Sequence, residues 1–219
     1  MKPTKKAVVL LSGGLDSTTV LYYALRKEYD CHCLLFDYGQ RHARELNAAK
    51  KIAARASCPF TVVKLGLPWG GSALLDKRQE VRSSKKHAGL HGLPATYVPG
   101  RNTIFLSYAL SYAETIAAST LFIGANAVDY SGYPDCRPEY YRAWQNLLKS
   151  LGLKIRIEVP LIHLTKSDIV KLGTKLGVPY KDTWSCYKGG KTPCGVCDSC
   201  LFRAKGFREA GLSDPALTS

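Results

Sequence analysis

The chain has 219 residues, 46% of them hydrophobic and 22% charged, an ordinary balance for a globular protein with one sizeable core. Lys and Arg outnumber Asp and Glu by 31 to 17, and the formal net charge of +14 favours anionic partners. No apolar run reaches the ~20 residues of a membrane span, and the short run after Lys6 is too brief for a signal peptide, so a cytoplasmic protein without membrane contact is expected.

The predicted elements alternate. Residues 7–11 are wholly apolar and read as a buried strand; Val20, Leu21, Ala24 and Leu25 give helical spacing to 17–28. A strand at 31–36, a helix at 41–56 and a strand at 60–65 follow. Residues 66–100, rich in Gly, Pro and charge, interrupt the pattern. A helix from 102 to about 118, a strand at 121–124, a polar loop at 125–137, a helix at 139–151 and a strand at 155–159 come next. The helix at 165–176 has Thr165 as N-cap and Asp168 at the capping-box position. A Cys-rich loop and a last helix near 199–210 end the chain. Five short strands alternating with helices predict an α/β fold, a doubly wound, five-stranded parallel sheet. Ligands of such sheets lie beyond the carboxyl ends of the strands, which brings the loops 12–17, 37–41, 99–102 and 125–137 to one edge. The expected division is a nucleotide-binding domain, 1–180, and a small metal-binding C-terminal module, 181–219, packed on it.

Ser12-Gly-Gly-Leu-Asp-Ser17 joins the first strand to the first helix. Unsatisfied backbone N–H groups and the helix dipole favour an anion there, and Gly13 and Gly14 let the backbone approach a phosphate closely. The hydroxyls of Ser12, Ser17 and Thr18 can donate to phosphate oxygens, and Asp16 can hold Mg²⁺ or cap the helix. Neither the Walker pattern nor the three-glycine dinucleotide fingerprint is present. The hexapeptide resembles the SGGxDS loop of the PP-loop ATP pyrophosphatase superfamily, whose adenine nucleotide alpha hydrolase-like members cleave ATP between the α- and β-phosphates. The candidate nucleotide-binding stretch is Leu10, Leu11, Ser12, Gly13, Gly14, Leu15, Asp16, Ser17, Thr18, Thr19 and Val20.

Cys186, Cys194, Cys197 and Cys200 place four thiols within fifteen residues, with two-residue gaps suited to one tetrahedral ion. Zinc and an iron–sulfur cluster both fit such spacing. Cys31, Cys33 and Cys58 sit in or beside apolar elements and read as packing residues. Cys136, in a polar loop, has no paired His nearby in sequence to make it a nucleophile. The basic cluster Lys77, Arg78, Arg82, Lys85 and Lys86, with His87 and His91, reads as a solvated face or an anion-binding lid. No aromatic residue interleaves with it, so no nucleic-acid partner is expected.

Further motifs occur in order: Asp37-Tyr-Gly-Gln-Arg-His42, Tyr97-Val-Pro-Gly-Arg-Asn102, Gly124-Ala-Asn-Ala-Val-Asp-Tyr-Ser-Gly-Tyr-Pro-Asp-Cys-Arg137 and the four-cysteine tail. With the SGGLDS loop they resemble the 7-cyano-7-deazaguanine synthase family of the queuosine pathway over nearly the whole chain. Gly100 departs from that pattern, which has Ala at this position. The resemblance implies a carbon–nitrogen ligase that converts 7-carboxy-7-deazaguanine and ammonia to the nitrile, with ATP and Mg²⁺ as co-reactants. It also implies a homodimer with one Zn²⁺ per subunit on the four cysteines. Candidate catalytic residues are Asp16, Ser17, Arg101 and Asn102. Asp129 and Asp135 can accept from a guanine-like edge, Tyr130 and Tyr133 offer stacking faces, and Arg101 or Arg137 can pair with a carboxylate or phosphate. A tRNA thiolase or lysidine synthetase would share the loop, and a non-catalytic zinc-ribbon RNA binder the cysteines. ATP turnover without RNA separates these readings.

Overall fold

The computed structural model describes residues 5–41, 43–76, 78, 81, 93–128 and 133–217. Five strands form one parallel sheet: β1 (Lys6–Leu10), β2 (Asp30–Asp37), β3 (Phe60–Lys64), β4 (Thr120–Phe122) and β5 (Arg156–Glu158). Their order is β3-β2-β1-β4-β5, with all four pairings parallel. The helices are α1 (Leu15–Arg26), α2 (Arg44–Arg55), α3 (Arg101–Thr115), α4 (Pro138–Ser150), α5 (Lys166–Lys175) and α6 (Asp198–Ala210).

The apolar run of β1 explains the layering. Ala7, Val9 and Leu11 face one side and pack with Leu21 of α1, Ile52 of α2, Ile169 of α5 and Phe207 of α6. Val8 and Leu10 face the other, against Leu106 of α3 and Trp144 and Leu148 of α4. A strand buried on both faces has no polar alternation, which is why residues 7–11 read as a continuous apolar run. The doubly wound, five-stranded parallel α/β fold expected from the alternation is the one observed.

The chain runs from β1 outward to β2 and β3, then crosses through α3 to β4 on the other side of β1. The carboxyl ends of β1 and β4 therefore form the switch point where a crevice opens. Gly124 permits this junction: a Cβ there would lie 2.9 Å from the backbone N of Ser17. β4 ends at Phe122, two residues before the expected limit, and the chain at Gly124 passes against the start of α1. Gly100, immediately before α3, has φ +67°, a left-handed conformation that suits glycine better than the Ala of the family pattern.

Beyond β5 the predicted capping box is formed. Thr165 accepts from the backbone N of Asp168, and Asp168 accepts from that of Thr165. The segment leaving α5 is pinned to α6 by Arg203. Its guanidinium donates to Asp214 at 2.6 and 2.9 Å, to Thr183 Oγ1 at 2.7 Å and to the Tyr180 carbonyl at 3.0 Å. Arg203 and Asp214 are both buried, so removing one leaves the other's charge uncompensated. Arg203→Met is expected to lower the unfolding free energy by about 3–5 kcal/mol in urea denaturation. A loss below about 1 kcal/mol would show that this network does not hold the tail.

Candidate active site

A cavity of about 310 Å³ opens at the switch point. The loops expected to converge do so, with Ser12, Tyr38, Gln40, Arg101, Asn102, Ala125 and Tyr133 all on its wall. Of the candidate nucleotide-binding stretch, Leu10, Leu11, Ser12, Gly14, Leu15, Asp16 and Ser17 line it. The other four do not. Gly13, at φ +81°, packs against α2, where a Cβ would meet the Ala49 N at 2.5 Å and the Glu45 carbonyl at 2.6 Å. Thr18 donates back to the Gly14 carbonyl at 2.7 Å, and Thr19 to that of Leu15 at 2.8 Å. Both are wholly buried, so the Thr18 hydroxyl serves the helix start rather than a ligand; Val20 belongs to the core. Ser12 and Ser17 face each other, Oγ to Oγ, at 2.9 Å.

Asp16 does not cap α1, whose N-cap is Gly14 without a side-chain bond. It instead accepts both hydrogen bonds of an ion pair with Lys166, at 2.9 and 2.7 Å, on the cavity wall. Lys166 opens α5, the end where the dipole disfavours a cation. That placement is a signal in the sequence, and the expected elements gave it no role. The lysine stem crosses α6 at Gly206, where a Cβ would lie 2.5 Å from Lys166 Cγ.

Arg101 donates to the Tyr38 hydroxyl at 3.2 Å, and among the described residues its buried Nε has no partner. Burial raises the Tyr38 hydroxyl above its ordinary pKa. Asp135 is buried and its carboxyl is raised by desolvation, against the pull of Arg101. It stands outside the cavity wall, and among the described residues its Oδ1 has no partner. Tyr133 lines the cavity and shares a 2.7 Å hydrogen bond with Thr96. Arg137 is exposed as the N-cap of α4 and does not reach the cavity. Asp129 and Tyr130 lie outside the described residues, as does the basic cluster apart from Arg78. Burial pushes the Cys136 thiol up to about 12, so it is no thiolate nucleophile at neutral pH. Cys31, Cys33 and Cys58 are buried packing residues.

Cavity residues that sequence reasoning missed include Glu45, Tyr187, Trp184 and Lys166. Burial pushes the Glu45 carboxyl up to about 7, partly offset by Arg101. An acidic residue in the first turn of a helix is commonplace, so Glu45 gave no signal. Trp184 reaches the loop through its backbone, donating to the Gly13 carbonyl at 2.9 Å, and carries Arg44 over its ring at 4.9 Å.

The ligand atoms of Cys186, Cys194, Cys197 and Cys200 lie within 4.8 Å of one another. A tetrahedral site with metal–sulfur bonds of about 2.3 Å has edges of about 3.8 Å, and the Cys194 and Cys200 sulfurs are 4.0 Å apart. Backbone N–H groups of Cys194 and Cys197 donate to the sulfurs of Cys186 and Cys194. The donor set fits a closed, structural ion. Cys197 is the N-cap of α6, so the cluster sits at the head of the helix that carries Lys166 and Arg203 contacts.

A family profile described as Queuosine biosynthesis protein QueC matches residues 6–211. The chain belongs to the QueC family. It is 54% identical over 216 residues to the 7-cyano-7-deazaguanine synthase of Thermoplasma acidophilum, covering 96% of this chain and 91% of that protein. It is 57% identical over 215 residues to the protein of that name from Picrophilus torridus, covering 95% and 90%. The Trichodesmium erythraeum protein of the same name is 51% identical over 222 residues, covering 97% and 100%. Among solved structures, an NMN synthetase from Francisella tularensis aligns with TM-score 0.52 at 15% identity, covering 96% of this chain and 89% of that one. That likeness is one of fold.

The cysteine geometry predicts one firmly bound metal ion per chain. In Cys194→Ser and Cys197→Ser, elemental analysis should find that ion lost and the soluble yield collapsed, since a structural site contributes on the order of 10 kcal/mol to folding. Full solubility without the ion would contradict a structural role.

Proposed function

We propose that this QueC protein is a carbon–nitrogen ligase that turns 7-carboxy-7-deazaguanine and ammonia into 7-cyano-7-deazaguanine at the expense of ATP. The observation that carries the reading is the opening of the Ser12–Ser17 loop onto a cavity at the switch point, in a chain more than half identical to proteins of that name. A carboxylate is a poor electrophile until its oxygen becomes a leaving group. Attack of that oxygen on the α-phosphate of ATP supplies one, and ammonia then displaces AMP to give the amide. Loss of the second oxygen requires a second adenylation, on the amide, followed by elimination to the nitrile.

The residues present suit these steps. Ser12, Ser17 and the backbone N–H groups at the start of α1 receive phosphate oxygens. Asp16 and Lys166 are an exchangeable pair: when nucleotide enters, Lys166 turns to the pyrophosphate and Asp16 becomes available to Mg²⁺. Arg101, charged and with an Nε donor that has no partner among the described residues, faces the developing negative charge, and Asn102 lies beside it on the wall. Tyr133 on the cavity wall and Asp135 behind it give the substrate side, and Asp129 and Tyr130 are further candidates for it, whereas Arg137 is exposed away from the cavity.

The cysteine ion is Zn²⁺, closed by four thiolates and silent in the chemistry; 181–219 is its module and 1–180 the nucleotide-binding domain. Visible absorption from an iron–sulfur chromophore in anaerobically purified protein would overturn zinc. The protein acts as a cytoplasmic homodimer on small molecules, without nucleic acid. Among the described residues no helix is long and apolar enough to cross a membrane. The exposed Tyr108, Leu147 and Leu151 on and beside α3 and α4 offer an apolar face for a second copy.

The two-stage scheme is tested by supplying the amide with ATP and Mg²⁺ and no ammonia. Nitrile and AMP should accumulate together. ADP as the sole nucleotide product would refute adenylation, and an inert amide would refute the two stages.

A further inference from the structure

A second chamber, of about 30 Å³, adjoins the main cavity and shares the walls Tyr38, Gln40, Glu45, Leu74, Arg101 and Tyr187 with it. A water-sized molecule needs only about 10–15 Å³ of such space, so the chamber is large enough to admit one. Most of its polar groups are already engaged. Gln40 accepts from the Tyr38 backbone N at 2.8 Å and donates to the Phe36 carbonyl at 3.2 Å. Arg41, the remaining wall residue, donates to the Ala73 carbonyl at 3.0 Å, and Arg101 to the Tyr38 hydroxyl at 3.2 Å.

The Glu45 carboxylate is different. Arg101 attracts it, and no hydrogen bond from a described residue contributes to its environment. Glu45 is half-buried and lines both the chamber and the main cavity, so its carboxylate is open to a ligand that brings N–H groups. Two guanidinium groups stand on the same wall against this one carboxylate, so the field disfavours a second cation and favours a neutral donor. A small, neutral molecule rich in N–H groups, placed beside the site of acyl activation, fits size, charge and hydrogen bonding together.

We propose that the chamber beside Glu45 binds the ammonia molecule that attacks the activated carboxyl group, with Glu45 accepting its N–H bonds. This rests on the nitrile-synthase reading given above. Ammonium leaves its proton in solvent before entry, and the bound neutral molecule keeps its lone pair for the acyl carbon; as the C–N bond forms, the bond to AMP breaks and the proton the nitrogen sheds passes to solvent. The competing occupant is the amino edge of the deazapurine, whose N–H donors suit the same carboxylate.

The two stages of the reaction separate these occupants, because only the first consumes ammonia. Initial rates are measured for wild type, Glu45→Gln and Glu45→Asp, first with the acid, ATP and varied ammonium chloride, then with the amide and ATP alone. Thermal unfolding of each variant is followed alongside. Glu45→Gln, which replaces an ionic acceptor by a neutral one, should raise the ammonium KM about tenfold or more. The KM values for acid, ATP and amide should stay within about twofold, well below that loss. Glu45→Asp should fall between wild type and Glu45→Gln. Equal losses in both stages would assign Glu45 to the deazapurine or to structure and overturn the proposal, as would an unchanged ammonium KM. A wild-type protein inactive in both stages would instead overturn the nitrile-synthase reading itself, and the ammonia site with it.

Discussion

Lys166 stands at the amino end of α5, where the helix dipole disfavours a cation even though the Thr165–Asp168 capping box satisfies two of the N–H groups there. The Asp16 carboxylate, at 2.7 and 2.9 Å, is what holds it there. Asp16 lies in the first turn of α1, so one ion pair ties the phosphate loop to an element 150 residues further along the chain. Its geometry depends on Gly206 of α6, whose bare Cα leaves room for the lysine stem. A phosphate loop at a switch point collects anions by itself. The paired lysine adds a positive charge whose position the C-terminal helices set.

The cysteine cluster acts through the same helix. Cys197 is the N-cap residue of α6 and Cys200 lies in its first turn, so an ion held by the cluster would fix the start of the helix that also carries Arg203. Arg203 grips Thr183 and the Tyr180 carbonyl, and one residue on, Trp184 donates to Gly13 in the loop. Tyr187, Ser185, Ser199 and Phe202 line the cavity from this side. The cysteine-bearing segment thus shapes a wall of the cavity and reaches the Ser12–Ser17 loop by two routes, one through Lys166 and one through Trp184.

The sheet, its order of elements and the four-sulfur cluster were legible because each is a local pattern. Continuous apolar runs mark strands buried on both faces, and two-residue gaps between cysteines mark a knuckle. Element ends shifted by up to three residues where packing decided them, as at Gly124, whose contact with Ser17 is invisible in one stretch of sequence. The motif around Ser12 was read too generously at its far end. In the helix that follows, Thr18 and Thr19 turn their hydroxyls to the carbonyls four residues back, and Val20 enters the core. Glu45 was missed because an acidic first turn is ordinary, and Tyr187 because it sits inside a run whose cysteines draw the attention. Both matter only through neighbours that the fold brings in from distant segments.

The central claim is that the loop beside Asp16 and Lys166 presents the α-phosphate of ATP to the oxygens of the substrate. Acid carrying oxygen-18 in its carboxyl group tests this directly, since each oxygen lost on the way to the nitrile must leave on the phosphorus it attacked. Mass analysis of the products should find the label in the phosphate group of AMP, and none in inorganic phosphate released directly by the enzyme. Label in inorganic phosphate would place the attack at the γ-phosphate and contradict the account.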